Sequence, residues 1–504
     1  MKMVKSLILG SAAGLFAMGG AQAADLPVKA KAVEYVKICS LYGAGFYYVP
    51  GTDTCIKLGG YLRVDLALNG ADYNPYLNGT GAANNRLSNY YNSRSRSDLT
   101  IDTRTATEYG VVRTFADVVV TWTSGSYAGS APGAYDRANP AGSSSGAIGQ
   151  AELGLYHAFI QFAGFTLGRT VSAFDAPWQS YPAGGPDSLP GGSNHVTGVN
   201  QATYTAQFGN GVSGTISVQD PTQQDQSNIF NTSYATAPGI LTGAYGTNSF
   251  GGTRAPDVIG KIAVDQAWGL AQLSVVGHNN HVSYYGTTED TGHPGDKWGF
   301  AVQGALSIKN IPTGPGDVIN LQAVYTDGAS RYNFQSLFPQ TLAIYGSSGS
   351  AYQGLGIAGI SDIVYNGTTG AGNTFNETVK TWGFRGGYTH NWNPNWASAI
   401  YGAYGAVQYG GASKTAICAN LVALLALTGS CNPDFNLAVI GVNTIWTPVK
   451  GLAFSADVNW TNLDQKYSGT VTAPAVAAVS KPAALYELKD QNTVSVLLRA
   501  QRNW

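Results

Sequence analysis

The chain holds 504 residues, with 28 Lys or Arg against 29 Asp or Glu, so charged residues make up only 11%, against about 25% in ordinary soluble domains. Near-neutral charge with no basic block excludes a dedicated nucleic-acid binder, and 44% hydrophobic content excludes wholesale disorder. No apolar run reaches the ~18 residues that a bilayer-spanning helix needs. The surplus lies in Gly (65) and Tyr (30), with Thr, Ser, Asn and Val beside them, a profile of strands broken by many turns.

In chain order, Lys2 and Lys5 precede an apolar run from Leu7 to Met18, and Ala21-Gln22-Ala23 follows. This pattern predicts an export signal over 1–23, cut after Ala23. Residues 24–56 form a separate N-terminal segment holding Cys39 and Cys55; the other two cysteines are Cys418 and Cys431. Neither spacing suits a metal knuckle, so no metal and no cofactor is expected. In an oxidising compartment the simplest connectivity is Cys39–Cys55 and Cys418–Cys431, though the two other pairings are compatible with the same sequence. Each local bridge closes a loop of about 15 residues, a stabilisation of about 3 kcal/mol in the chain-entropy model.

From 57 onward, period-two alternation marks sixteen candidate strands: 57–69, 97–107, 111–123, 150–162, 165–171, 200–208, 212–219, 256–264, 269–278, 296–309, 317–326, 378–390, 396–409, 435–446, 452–462 and 489–504. Their connections alternate strictly between short turns such as Gly209-Asn210-Gly211 and long loops rich in Gly, Ser, Asn and Pro. An even number of strands with long loops at one rim and short turns at the other is the layout of an outer-membrane β-barrel. Most strands are long enough to cross a bilayer when tilted, and their polar faces carry ions. Leu62, Val64, Leu66 and Leu68 oppose Arg63 and Asp65, Leu99 and Ile101 oppose Asp102 and Arg104, and Val112, Val118 and Val120 oppose Arg113 and Asp117. Trp122, Tyr156, Phe162, Trp298, Trp382, Tyr388, Trp446 and Trp460 lie near strand ends and predict two interfacial girdles. The fold expected is all-β, a transmembrane sixteen-stranded antiparallel barrel over 57–504 with long extracellular loops and short periplasmic turns.

The stretches YVKIC at 35–39 and YGAGFYYVPGTDTCIKLGGYLR at 42–63 resemble the N-terminal signature of the alphaproteobacterial porin family. The likeness continues at Gly168-Arg169-Thr170-Val171-Ser172-Ala173-Phe174, at Cys431-Asn432-Pro433-Asp434 and at Leu498-Arg499-Ala500-Gln501-Arg502-Asn503-Trp504. The family usually ends in Phe, so Trp504 departs from it while keeping an aromatic for the barrel-assembly machinery to read. The resemblance implies a homotrimer in the outer membrane of a Gram-negative bacterium, surrounded by outer-membrane lipid, that passes small hydrophilic solutes and ions by diffusion. It also implies that the third long loop folds inward and narrows the pore.

That loop runs roughly from Ser172 to Val199 and carries Asp175 and Asp187 without Lys or Arg between them. Strand parity sets Arg63, Arg104, Arg113, Arg385 and Arg499 on the facing wall, offset by Asp65, Asp102 and Asp117. Acids facing arginines across a narrow waterway create a transverse field, focused by low-dielectric walls. A sugar-selective porin is the rival reading, with Phe174, Trp178 and Tyr181 beginning a line of aromatics. Catalysis has little footing, because the G-x-S-x-G match at 142–146 sits in a Ser/Gly-rich loop without the strand and helix of a nucleophile elbow. An apolar, helix-prone run at 417–427 predicts a short helix clamped by Cys418–Cys431, packed on the barrel mouth or on a neighbouring subunit. Loop 327–377 is long enough for a lid, and its composition does not say more.

Overall fold

The computed structural model describes residues 37–69, 83–84, 91–124, 146–148, 151–178, 189–346, 353–367, 374–476 and 482–504. Two compact units divide the chain, Met1–Ile56 and Lys57–Trp504. In the first, a short antiparallel pairing of Tyr47 with Ile56 and Tyr48 with Cys55 is tied by the Cys39–Cys55 disulfide. Cys39, Phe46 and Cys55 are buried there, with Tyr42 and Tyr48 packed against them.

The second unit is a closed barrel of sixteen antiparallel strands among the described residues. They are β1 (Thr54–Leu68, its first residues belonging to the other unit), β2 (Tyr91–Thr107), β3 (Gly110–Thr123), β4 (Ala151–Phe162), β5 (Phe165–Thr170), β6 (Val199–Gly209), β7 (Val212–Gln219) and β8 (Asp257–Gln266). The second half comprises β9 (Gly269–Asn280), β10 (Lys297–Lys309), β11 (Val318–Asp327), β12 (Lys380–Asn393), β13 (Trp396–Gln408), β14 (Phe435–Val449), β15 (Leu452–Gln465) and β16 (Gln491–Asn503). Each strand pairs with its sequence neighbour, and β16 returns to β1 in a register running from Tyr61↔Asn503 to Leu68↔Val496. Closure leaves no unpaired edge, the condition for strands in a bilayer. The second strand begins at Tyr91, six positions before its expected start at 97, because Arg94 and Arg96 continue the polar inner face upward.

Alternation puts apolar side chains outside. Leu62, Val64, Leu99, Leu273, Phe300, Phe384, Ile400, Ile440 and Leu498 are all exposed, while the residues between them turn inward. Trp298, Trp382, Trp446 and Trp460 are exposed as a girdle requires, joined by Trp268, Trp392, Trp396 and Phe454. Tyr156 departs from that expectation. It is the extra residue of a β-bulge, since Asp117 pairs with His157 and Val118 with Leu155, and its ring lies 5.6 Å from the Arg96 guanidinium on the inner face.

The largest apolar core lies within the barrel unit, above the inner faces of β13–β15. It joins Tyr401, Ala403, Phe435, Leu437, Val439 and Leu463 of those strands to residues of five long loops. The loop between β11 and β12 contributes two strands, Thr341–Gly346 and Gly354–Gly359, paired antiparallel and almost wholly buried. Gln465 fixes them to the wall, accepting from Ile357 N at 3.0 Å and donating to Leu355 O at 3.0 Å. This long loop is therefore a packed part of the barrel mouth.

The apolar run at 417–427 begins inside the helix Gly411–Leu425 and ends two residues past it, the helix being tied by Cys418–Cys431. Ser413, Ile417, Leu421 and Leu425 recur every four residues and form its buried face. Its N-terminus takes no cap from Gly410. Instead Glu377 accepts from Ser413 N at 2.9 Å and Ser413 Oγ at 2.7 Å, a carboxylate at the positive end of the helix. The buried face of this helix packs into the apolar core at its own barrel mouth.

Candidate functional site

The third long loop leaves β5 at Thr170 and rejoins the barrel at Val199. It lies across the inner faces of β9 to β12, held there by amide side chains and one guanidinium. Gln272 Nε2 donates to Phe174 O (3.3 Å) and Asp175 O (2.9 Å), and Gln303 Nε2 donates to Phe174 O at 2.9 Å. Arg385 Nη2 donates to Ser193 O at 2.8 Å while its Nε donates to Gln322 Oε1 at 2.8 Å. Close approach explains the Gly191-Gly192 pair. A Cβ on Gly191 would stand 2.3 Å from the carbonyl carbon of Phe384, and one on Gly192 would stand 2.1 Å from Gln322 Nε2. The described parts of the loop, 171–178 and 189–198, fold inward with their backbone against the wall.

Asp175 is not presented to the waterway. It is 4% exposed, with Ser193 Oγ donating at 2.6 Å and His195 N donating at 2.6 Å. The His195 ring bridges two acids, with Nδ1 2.7 Å from Asp175 Oδ1 and Nε2 2.5 Å from Asp225 Oδ1 of the following long loop. Burial alone favours a neutral imidazole, but the two flanking carboxylates hold its pKa well above the usual histidine range. Burial likewise opposes ionisation of Asp175, yet the His195 cation and the Ser193 and backbone donors hold its carboxyl below the usual range. Below this pair, Tyr332 Oη donates to Asp257 at 2.6 Å, and His278 Nδ1 lies 2.8 Å from the same carboxylate. Ser330 N and Ser227 N donate to Asp362 at 2.5 and 3.2 Å. A buried acid–imidazole network thus joins three long loops to β8 and β9.

The wall made by β16, β1, β2 and β3 is different. Asp65 and Arg499 face each other across the barrel seam, 2.6 Å apart, and Arg63 Nε donates to Gln501 Oε1 at 2.7 Å on the next inward rung. Asp102 takes two guanidinium groups, Arg104 Nη2 at 3.0 Å and Arg113 Nη2 at 3.0 Å. Arg113 also donates to Gln161 Oε1 at 2.9 Å and lies over the Phe115 and Phe159 rings at 5.2 and 5.4 Å. Asp117 is buried, 3.8 Å from His157 Nε2. These groups ladder the inner face and bond to one another along the wall.

A model of the family described as "Porin subfamily" matches residues 25–497. The chain belongs to that porin subfamily. Porin Omp2b of Brucella suis biovar 1 is 31% identical over 268 residues, 53% of this chain and 63% of that porin, so the matched stretch spans less than two thirds of the relative. Another Brucella suis Porin Omp2b is 30% identical over 314 residues, 61% of this chain and 75% of that porin. In fold, the chain is similar to the outer membrane channel DcaP of Acinetobacter baumannii, with a TM-score of 0.54 at 15% identity, covering 91% of this chain and 99% of that one.

Of the porin residues singled out in the sequence, Arg63, Asp65, Asp102, Arg104, Arg113, Asp117 and Arg499 come together on one inner wall. Arg385 does not join them. It stands on β12, 4% exposed, where the third-loop carbonyls need a donor. Phe174 is fully buried edge-on to Tyr332 at 4.6 Å, and Trp178 packs against the apolar cluster. Neither begins a line of aromatics along the waterway. Asp187, Tyr181, the 142–145 part of the Ser/Gly-rich motif and the export segment lie outside the described residues. Trp504 N donates to Gly60 O at 3.2 Å, so the final residue makes a rung of the seam. The sequence reading missed His195, Asp225, Gln272 and Gln303. One signal for His195 was available, since it is the one basic-capable side chain in a loop that also carries two acids.

Proposed function

We propose that this porin forms a water-filled channel through the outer membrane of a Gram-negative bacterium, passing small hydrophilic solutes and ions by passive diffusion. The observation that carries the reading is the contrast between the two faces of one closed sheet. Outside is a band of Leu, Val, Ile and Phe with Trp near its margins; inside, β16 to β3 carry a ladder of Arg and Asp. A lumen rung of this kind tolerates ionised side chains only where water reaches it. Diffusion through such a lumen needs no catalytic step, no cofactor and no energy source. The mature chain begins after Ala23, and the barrel-assembly machinery reads the aromatic Trp504. Three copies associate, as the family resemblance implies, and Asp187 serves as a loop acid at the constriction.

The test is reconstitution of the refolded protein in a planar bilayer. Steady ohmic current steps in groups of three are expected. Folded, heat-resistant barrels that insert without conducting would overturn the channel reading, and single isolated steps would overturn the trimer.

A further inference from the structure

Resting on the channel reading, we infer that the inner wall of β2 to β5 holds a subsite for small aromatic carboxylates, built from Phe115, Phe159 and Arg113. The first ground is where the two rings stand. Phe115 pairs with Asp102 on β2 and with Phe159 on β4, and Phe159 pairs with Gly168 on β5, which pairs in turn with Gln201. Both rings therefore belong to an inward rung. The rung on one side of it reads Arg104, Arg113, Gln161, Thr166 and Thr203, and the rung on the other begins Thr100, Asp117 and His157. A channel lumen is ordinarily polar, and two phenylalanines are the exception on this wall.

The second ground is burial. Phe174, Phe334, Phe338 and Phe435 lie under or within folded-in loops and are no more than 2% exposed, whereas Phe115 and Phe159 are half-buried. Apolar surface left to water forgoes about 25 cal/mol per Å², and closing the sheet does not require it here. The two rings stack with centroids 5.4 Å apart and planes inclined by 27°, and the Arg113 guanidinium lies 5.2 and 5.4 Å from them. Gly168, next along the rung from Phe159, adds no side chain beside the stack. Rings and guanidinium together make a flat, polarisable surface that favours another planar π-system over a puckered one.

Arg113 supplies the polar end. A guanidinium carries five N–H donors. Nε and Nη2 of Arg113 each give one to Asp102 and Nη1 gives one to Gln161, so three are spent and two remain among the described residues. Those two are the donors a solute carboxylate can take beside the ring stack, in the planar geometry that guanidinium and carboxylate share. The nearby acids are already engaged: Asp102 accepts from Arg104 as well as Arg113, and Asp117 lies 3.8 Å from His157 and shares a hydrogen bond with Asp98. Two more ring–guanidinium pairs stand on the same wall, Arg63 at 4.6 Å from the half-buried Tyr61 ring and Arg96 at 5.6 Å from that of Tyr156. What this surface recognises is a flat ring and an acceptor oxygen together, which charge alone does not supply.

The experiment is block of the KCl current through the full-length protein by three acids of equal charge, benzoate, cyclohexanecarboxylate and acetate. Each block is read against the same variant's current in KCl alone. The half-blocking concentration of benzoate should lie below that of cyclohexanecarboxylate by about threefold or more, with acetate weakest. F115L/F159L keeps apolar side chains but removes the π-faces, and should bring benzoate and cyclohexanecarboxylate together. R113K keeps the charge and removes the planar fork, and should raise the benzoate value; an unmoved value removes Arg113 from the subsite. Equal block by all three acids, or block by none, overturns the inference. So does benzoate block that F115L/F159L leaves unmoved in barrels that still migrate as folded, heat-resistant species. If the double variant does not fold, F159L alone and the wild-type ranking of the three acids decide. Folded protein that never conducts defeats the underlying channel reading instead, an outcome distinct from conducting barrels that treat the three acids alike.

Discussion

The inner faces of β9–β14 and of β16–β3 belong to one continuous sheet, with the same pleat and the same water available during folding. On the first, Gln272, Gln303 and Arg385 spend donors on loop carbonyls, Gln322 links Gln303 to Arg385, and Tyr401, Phe435, Leu437 and Val439 pack beneath folded-in loops. On the second, Arg and Asp pair along the wall, with Asp65–Arg499 buried at the seam and the Arg104 and Arg113 heads partly exposed. The difference teaches that strand parity settles which side chains point inward, and that the loops then settle what "inward" means. Where a loop covers the face, an inward residue is a core residue or a clamp; where none does, it meets solute.

Removing the buried imidazole should break this comparison most strongly. H195A leaves Asp175 and Asp225 buried without the cation between them, an expected loss of about 4 kcal/mol, read as release of the third loop to limited chymotrypsin cleavage near Trp178. The same site predicts a pH window. His195 has its folded pKa raised, so its contribution is full below the unfolded value and is lost as pH rises through the elevated folded one. Asp175 has its folded pKa lowered, so its contribution is present above the unfolded value and is lost on strong acidification. Loop protection should therefore be greatest around neutrality and fail at both extremes, and H195N should erase the alkaline limb. A flat pH profile would remove the network from this role.

Next in size is the helix over the mouth. L421A empties a fully buried position and should cost about 3 kcal/mol, whereas V422A, one residue on and exposed, should change thermal stability little. Equal effects would mean that the outer side of this helix is covered by something else. R385A should cost somewhat less, about 2 kcal/mol, by stranding Ser193 O and Gln322 Oε1, and it should increase current noise as the loop loosens. A comparable rise in noise from R63Q would blur the distinction between clamp and lining.

The smallest expected effect lies at the short-turn rim. There Asp317 accepts from Thr313 Oγ1 (2.6 Å), Tyr388 Oη (2.9 Å), His390 Nδ1 (2.7 Å) and Asn391 N (2.8 Å). Burial opposes its ionisation, but these donors hold its carboxyl well below the usual range. Its contribution is present above the unfolded carboxylate pKa and is lost as pH falls, so D317N should lower the melting temperature near pH 7 and leave the acid transition less steep.

How much of this was legible in advance follows the same division. Alternation in β1, β2 and β3 was plain, because water on one side and lipid on the other impose opposite demands on neighbouring residues. In β14 the signal fades, since Phe435, Leu437 and Val439 face in while Ile440 and Val442 face out. An apolar residue on both sides of one strand is the trace left by a loop folded over the inner face, and it could have been read that way. Parity put Arg385 inward correctly but said nothing of the carbonyls of Leu189 and Ser193 that meet it. The pairing of Asp175 with His195 and Asp225 depends on two loops meeting in space, and no period along the chain encodes that.

The seam between β1 and β16 has a consequence for assembly order. Arg63 and Gln501 are 438 positions apart, and Trp504 completes the rung at Gly60. Until the last strand is available, β1 carries an open row of backbone donors and acceptors, an invitation to pair with any other extended chain. Its proper partner is among the most distant in the molecule, so closing the ring is entropically slow and comes late. Until that pairing forms the edge of β1 stays open, and the last rung made is the one that seals it.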